Sequence, residues 1–95
     1  TESKPSITLK LISNYPNPFL DKTRISFYFS KEAESVKRYI YIYNLLGQLI
    51  QKIDLNSYQR GFHEIILNTK DWPGGIYFCR LTAGNKSETI KITKL

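Results

Sequence analysis

The sequence predicts an all-β domain, a seven-stranded antiparallel sandwich, on three observations. Apolar residues recur with period two along nearly the whole chain. The seven alternating runs are short and rich in β-branched and aromatic residues. Clusters of Gly, Pro, Asn and Asp separate them at roughly ten-residue spacing, the spacing of antiparallel sandwiches.

In the first run Ile7, Leu9 and Leu11 alternate with Thr8, Lys10 and Ile12. The stretch Asn14-Tyr15-Pro16-Asn17-Pro18-Phe19 follows, and its two prolines bar it from a helix or a central strand. It reads as a rigid crossover to the second strand. Pro16 and Pro18 keep it extended, Asn17 bonds nearby backbone, and the rings of Tyr15 and Phe19 are buried against the sandwich.

In the second run Ile25, Phe27 and Phe29 alternate with Arg24, Ser26 and Tyr28. Ser30 to Val36 is a loop or a single turn, since its capping signal is poor. Ile40 and Ile42 then sit between Tyr39, Tyr41 and Tyr43, and Gly47 supplies a positive φ to the tight turn that follows. Leu49 to Leu55 is a weaker strand, and the three-residue step from Ile50 to Ile53 suggests a bulge if both face the core.

After the polar loop Asn56 to Gly61, His63, Ile65 and Leu67 alternate with Phe62, Glu64 and Ile66. The breaker cluster Asp71 to Gly75 precedes a run in which Tyr77, Cys79 and Leu81 face one way and Phe78, Arg80 and Thr82 the other. A hairpin-like turn at Ala83 to Lys86 leads to the last strand, where Ile90 and Ile92 alternate with Thr89, Lys91 and Thr93.

Composition excludes several classes. With 95 residues, 41% apolar and 14% aromatic, this is one ordered domain. No apolar run is long enough to span a membrane as a helix. The absence of methionine, even at position 1, is expected of a segment of a longer protein. The net charge of +6 comes from cations scattered from Lys4 to Lys94, ten of the fourteen being lysine, a pattern of solvated surfaces rather than nucleic-acid readout.

Catalytic chemistry is poorly provided for. His63 is the one histidine and Cys79 the one cysteine, so no disulfide closes within the chain and no multi-imidazole metal site forms. A Cys–His dyad requires neighbouring strands and an open, electropositive thiol. The simpler reading is a core cysteine and a backbone-bonded histidine. Loop carboxylates such as Asp54 and Asp71 do not follow the calcium-loop pattern. No cofactor is expected. By the alternation Tyr28, Tyr39, Tyr41, Tyr43, Phe62 and Phe78 face outward, where aromatics stack on sugars or dock a partner.

Four blocks in fixed order resemble a known family. They are Asn14 to Phe19 leading into Thr23-Arg24-Ile25-Ser26-Phe27, then Ile42 to Ile50 around Gly47, Gly61 to Ile65, and Gly75 to Leu81, closed by Ile90 to Leu95. Together they resemble the type A C-terminal sorting domain of type IX secretion substrates of the Bacteroidetes, over residues 9 to 95. One departure is Leu20-Asp21-Lys22, where the family often has Asn-Pro and a Thr or Ser. A weaker resemblance runs to the immunoglobulin-like domain of flagellar hook-capping proteins. The expected fold is therefore a seven-stranded immunoglobulin-like β-sandwich.

The resemblance implies a signal rather than an enzyme. Residues 1–6 would be a linker from an upstream, covalently attached cargo, and residues 7–95 the sorting domain. The partners implied are an outer-membrane type IX translocon and a sortase-like peptidase that cuts before the first strand. The cargo would pass the periplasm to be released or attached to the cell surface. Recognition is assigned by resemblance to Gly75, Tyr77, Leu81, Lys91, Ile92, Lys94 and Leu95, with Lys91 and Lys94 on an accessible edge. Tyr15, Pro16, Asn17, Pro18, Phe19, Gly47 and Gly61 form the structural motif. The alternative is a carbohydrate- or protein-binding spacer module of a surface enzyme, gripping through Trp72 or the outward tyrosines.

Overall fold

A computed structural model describes residues 6–95. Most of the expected linker thus lies outside the described residues. Seven strands are seen among those described: β1 (Leu9–Tyr15), β2 (Lys22–Phe29), β3 (Arg38–Asn44), β4 (Leu49–Asp54), β5 (Gly61–Asn68), β6 (Gly75–Ala83) and β7 (Lys86–Lys94). One 3-10 turn, Lys31–Ser35, joins β2 to β3. The strands form two antiparallel sheets, β1-β2-β5 and β4-β3-β6-β7. Lettered in chain order this is ABE packed on C′CFG, the immunoglobulin arrangement.

Alternation builds the core as the sequence implies. Ile25, Phe27 and Phe29 from one sheet face Ile40, Ile42, Leu81 and Ile92 from the other, all fully buried. Gly47 takes φ +82 in the β3–β4 turn, and the Asn44 side-chain oxygen accepts from the amides of Leu46 and Gln48 to fix that turn. The expected bulge is present, because Ile42 pairs with Gln51 and Tyr43 with Leu49, leaving Ile50 unpaired. Ile53 packs against the core, whereas Ile50 is exposed.

A second bulge corrects the expectation for Tyr15. Leu11 pairs with Phe27 but Ser13 pairs with Ser26, so Ile12 is an extra residue in β1. One inserted residue exchanges the two faces downstream. Asn14 therefore turns inward opposite Ile25, and Tyr15 turns outward opposite Arg24 with 75% of its surface exposed. Phe19 is 1% exposed, as expected.

Arg38 is buried to 4%, at the first position of β3. Its guanidinium donates to the carbonyls of Ala33 and Val36 at 2.7 Å, Asn56 at 2.9 Å and Tyr58 at 3.1 Å, with Leu55 at 3.5 Å. It also lies 5.0 Å from the centre of the Phe29 ring. One side chain thereby ties the 3-10 turn and the β4–β5 loop to the core. The sequence alone offers no sign of this role.

Candidate functional site

The residues assigned to recognition gather around β7, which forms one edge of the four-stranded sheet. This strand is longer than its apolar alternation suggests, because it begins at Lys86 and pairs without interruption with β6. Its edge is divided into two halves with different surroundings.

The C-terminal half is covered by the segment between β1 and β2. These two strands are antiparallel neighbours, so the segment is an arched hairpin loop, bent at residues 16–18, and not a crossover. Both X–Pro peptide bonds in it are cis. At its far point Phe19 forms a parallel bridge with Lys94: the Phe19 amide donates to Thr93 O at 3.0 Å and the Leu95 amide to Phe19 O at 2.8 Å. The Thr93 amide donates to Asn17 Oδ1 at 3.1 Å. Asn17 therefore satisfies backbone 76 residues away and not its own neighbours. Local bracing falls instead to Thr23, whose hydroxyl donates to Pro16 O at 2.9 Å.

The arch is pinned at its return as well. The Thr69 amide donates to Asp21 O at 2.8 Å and its hydroxyl to Leu20 O at 3.0 Å. Phe19 then closes the end of the sandwich, with its ring T-shaped to Trp72 at 6.4 Å. Trp72 in turn packs on Tyr77 at 4.9 Å. The half-buried indole is thus engaged in packing.

The N-terminal half of the β7 edge is open. Thr93 bonds outward through both its amide and its carbonyl, so Lys91, Thr89 and Ser87, two residues apart on an unbroken ladder, also direct their backbone groups outward. All three are exposed, and among the described residues no backbone hydrogen bond engages them on that side. The side chains of Lys86 and Glu88 reach across to β1 instead. Lys86 Nζ donates to Ile7 O at 3.1 Å, and Glu88 Oε1 accepts from the Leu11 amide at 2.6 Å. The flank of the sandwich between β1 and β7 is closed by side chains, while β7 keeps a free run of main chain.

The assigned residues divide accordingly. Lys91 and Leu95 are exposed, Leu95 to 62%. Gly75, opposite Lys94, is exposed with φ +147, a backbone conformation that favours glycine. Leu81 and Ile92 are fully buried. Lys94 corrects the expectation of an accessible edge lysine. It falls on the inward side of the alternation that buries Ile92, is 8% exposed, and lies beneath the Phe19 bridge. Tyr77 is buried at the start of β6 and its hydroxyl donates to Pro73 O at 2.6 Å. That back-bond across the β5–β6 corner is the tyrosine corner of immunoglobulin-like sandwiches.

His63 and Cys79 do not form a dyad. His63 lies on β5 of the three-stranded sheet, packed among Phe27, Phe29 and Tyr58, and donates from Nε2 to Gln59 O at 2.5 Å. Cys79 lies on β6 of the other sheet, where burial pushes its thiol up to about 12. A thiol so protonated is a poor nucleophile at neutral pH. No group of three His, Cys, Asp or Glu gathers at metal-holding distance among the described residues. No helix among them is long and apolar enough to cross a membrane.

Comparison with known proteins adds two findings. The sequence matches the family described as the secretion system C-terminal sorting domain over residues 13–94. The fold is similar to part of the crystal structure of dimeric latent PorU from Porphyromonas gingivalis, with a TM-score of 0.70 and 14% identity. That similarity covers 100% of this chain and 10% of the other, so the chain spans a tenth of the length of that solved protein. No curated protein sequence matches.

Proposed function

The chain belongs to the secretion system C-terminal sorting domain family, and from that premise we propose that the export machinery reads it as a folded sandwich along the open half of β7. Membership makes it a sorting signal for type IX secretion, directing export to the cell surface or beyond. The finer reading concerns how the signal is read. Ser87, Thr89 and Lys91 offer three unpaired steps of main chain, to which a strand of the translocon adds. The main chain supplies affinity there, and Lys91 beside it supplies charge. The uncovered edge next to a covered one is the observation that carries this reading.

Gly75, Tyr77, Leu81, Ile92 and Lys94 then act by holding β6 and β7 in place, and Lys91 and Leu95 are the side chains a receptor touches. The arch from Tyr15 to Phe19 keeps the strand end from fraying and limits pairing to the intended stretch. Upstream, residues 1–6 join a cargo that reaches the periplasm first. A sortase-like peptidase removes the domain, and the cargo is released or attached to the surface.

Thr89→Pro tests this reading. The Thr89 amide points away from β6, so proline removes no ladder bond and the domain should stay folded. A reporter fusion carrying this change should accumulate in the periplasm while the parent fusion is exported. Export at the parental rate with Thr89→Pro would rule out strand addition at this edge. Deleting Lys91 to Leu95 is less informative, because Ile92 is a core residue and the fold would be lost with the signal.

A further inference from the structure

The outer face of the four-stranded sheet carries a second feature, which shares Lys91 with the β7 edge. Alternation along β3 places Tyr39, Tyr41 and Tyr43 side by side, with ring centres 5.8 and 6.2 Å apart. Each ring is half-buried against its neighbours, so the row is a fixed ridge. Beside it runs a shallow groove of about 410 Å³, walled by Lys37, Arg80 and Thr82.

Charge on this face is nearly all of one sign. Lys52 Nζ sits 4.3 Å from the Tyr39 ring centre and 5.6 Å from that of Tyr41, on the flank opposite the groove. Arg80 stands opposite Tyr41 across β3 and β6, and Lys91 opposite Phe78, which itself faces Tyr43. Asp54, an acid of this face opposite Tyr39, accepts from the backbone and side-chain nitrogens of Asn56 at 2.7 Å. Asp54 also feels the charges of Lys37 and Lys52, whereas Arg80 and Lys91 stand beside the row of phenols farther from it.

We propose that this groove binds an acidic polysaccharide, laid along Tyr41 and Tyr43 with its carboxylates on Arg80, Lys37 and Lys91. Aliphatic ring faces of sugars pack on aromatic edges and faces, phenol hydroxyls exchange hydrogen bonds with sugar hydroxyls, and guanidinium and ammonium groups take the acids. A nucleic acid suits the face less well. Bases need open ring faces to stack on, and here Tyr39 is tilted onto Tyr41, Tyr41 is stacked with Tyr43, and Lys52 lies over Tyr39 and Tyr41.

The test is titration of the 95-residue chain with polygalacturonate oligosaccharides at low salt, followed by calorimetry. Binding is expected, with none to dextran, a neutral glucan. Tyr41→Ala and Arg80→Ala should each weaken it about tenfold. Tyr28→Ala, on the outer face of the other sheet, should leave it unchanged. Tyr41→Phe, which keeps the ring and the fold, should cost several-fold through the lost hydroxyl. The proposal fails if polygalacturonate does not bind. It fails equally if the two Tyr41 variants bind like the parent, which would mean adsorption by charge alone, or if a single-stranded oligonucleotide binds more tightly.

Discussion

Phe19→Ala should destabilise the domain by about 3–5 kcal/mol, the range for removing a fully buried phenylalanine. The ring closes the end of the sandwich against Trp72. Its loss also loosens the parallel bridge through which the arch holds Thr93 and Leu95. In a domain of this size that corresponds to a melting point lower by roughly 12–40 °C. Trp72 emission should shift to the red, and the amides of Thr93 and Leu95 should lose hydrogen-exchange protection before the rest of β7. Asn17→Ala, which removes the one bond to the Thr93 amide, should cost about 1 kcal/mol. Denaturant titration of the two variants distinguishes a plug from a single bond. A loss below 1 kcal/mol for Phe19→Ala would show that the arch does not hold the sandwich end.

Arg38→Met should cost a similar amount, about 3–5 kcal/mol, for a different reason. Methionine fills part of the volume and removes the buried charge, but it leaves the carbonyls of Val36, Asn56 and Tyr58 without donors and Ala33 O with the Val36 amide alone. Each orphaned, partly buried carbonyl costs about 1–3 kcal/mol unless water reaches it. The turn and the β4–β5 loop should relax outward to find that water, recovering part of the loss. Arg38→Lys retains charge but presents its donors from one point, so it cannot span carbonyls contributed by both segments, and it should recover little. Arg24→Met, at an exposed arginine of β2, serves as control and should fall within about 0.5 kcal/mol of the parent. Equal midpoints for the Arg38 and Arg24 variants would contradict the clamp.

Both positions show where sequence reading stops. Period two and turn chemistry are local, and they place all seven strands, the Gly47 turn and the bulge at Ile50, whose neighbour Ile53 breaks the spacing. The bulge at Ile12 leaves no such trace. Ile12 is grouped with the outward Thr8 and Lys10, and the ring of Tyr15 is expected to pin the following segment, whereas the inserted residue turns it outward. Lys94 misleads in the opposite direction: its charge suggests solvent, although the parity of Ile90 and Ile92 already turns it inward.

The candidate site was legible as a region but not as a mechanism. The turn-rich start of β6 and the alternating end of β7 mark the place. What covers one half of β7 and leaves the other open depends on Asn17 meeting Thr93, a contact between residues 76 apart. Arg38 is hidden for the same reason. Beside Lys37 it reads as a solvated pair, and its partners are main-chain carbonyls that carry no side-chain signature. Tyr77 was picked out by its place in a block, while its geometry assigns it to the corner that starts β6.

These 95 residues should suffice as an export signal, which localisation of a fusion measures directly. A fluorescent protein carrying an N-terminal signal peptide and residues 1–95 at its C-terminus is expressed in a host with the type IX translocon and in the same host lacking it. The expected result is fluorescence at the surface or in the medium in the first host, and fluorescence confined to the periplasm in the second. Periplasmic retention in both hosts, or release in both, would contradict the account.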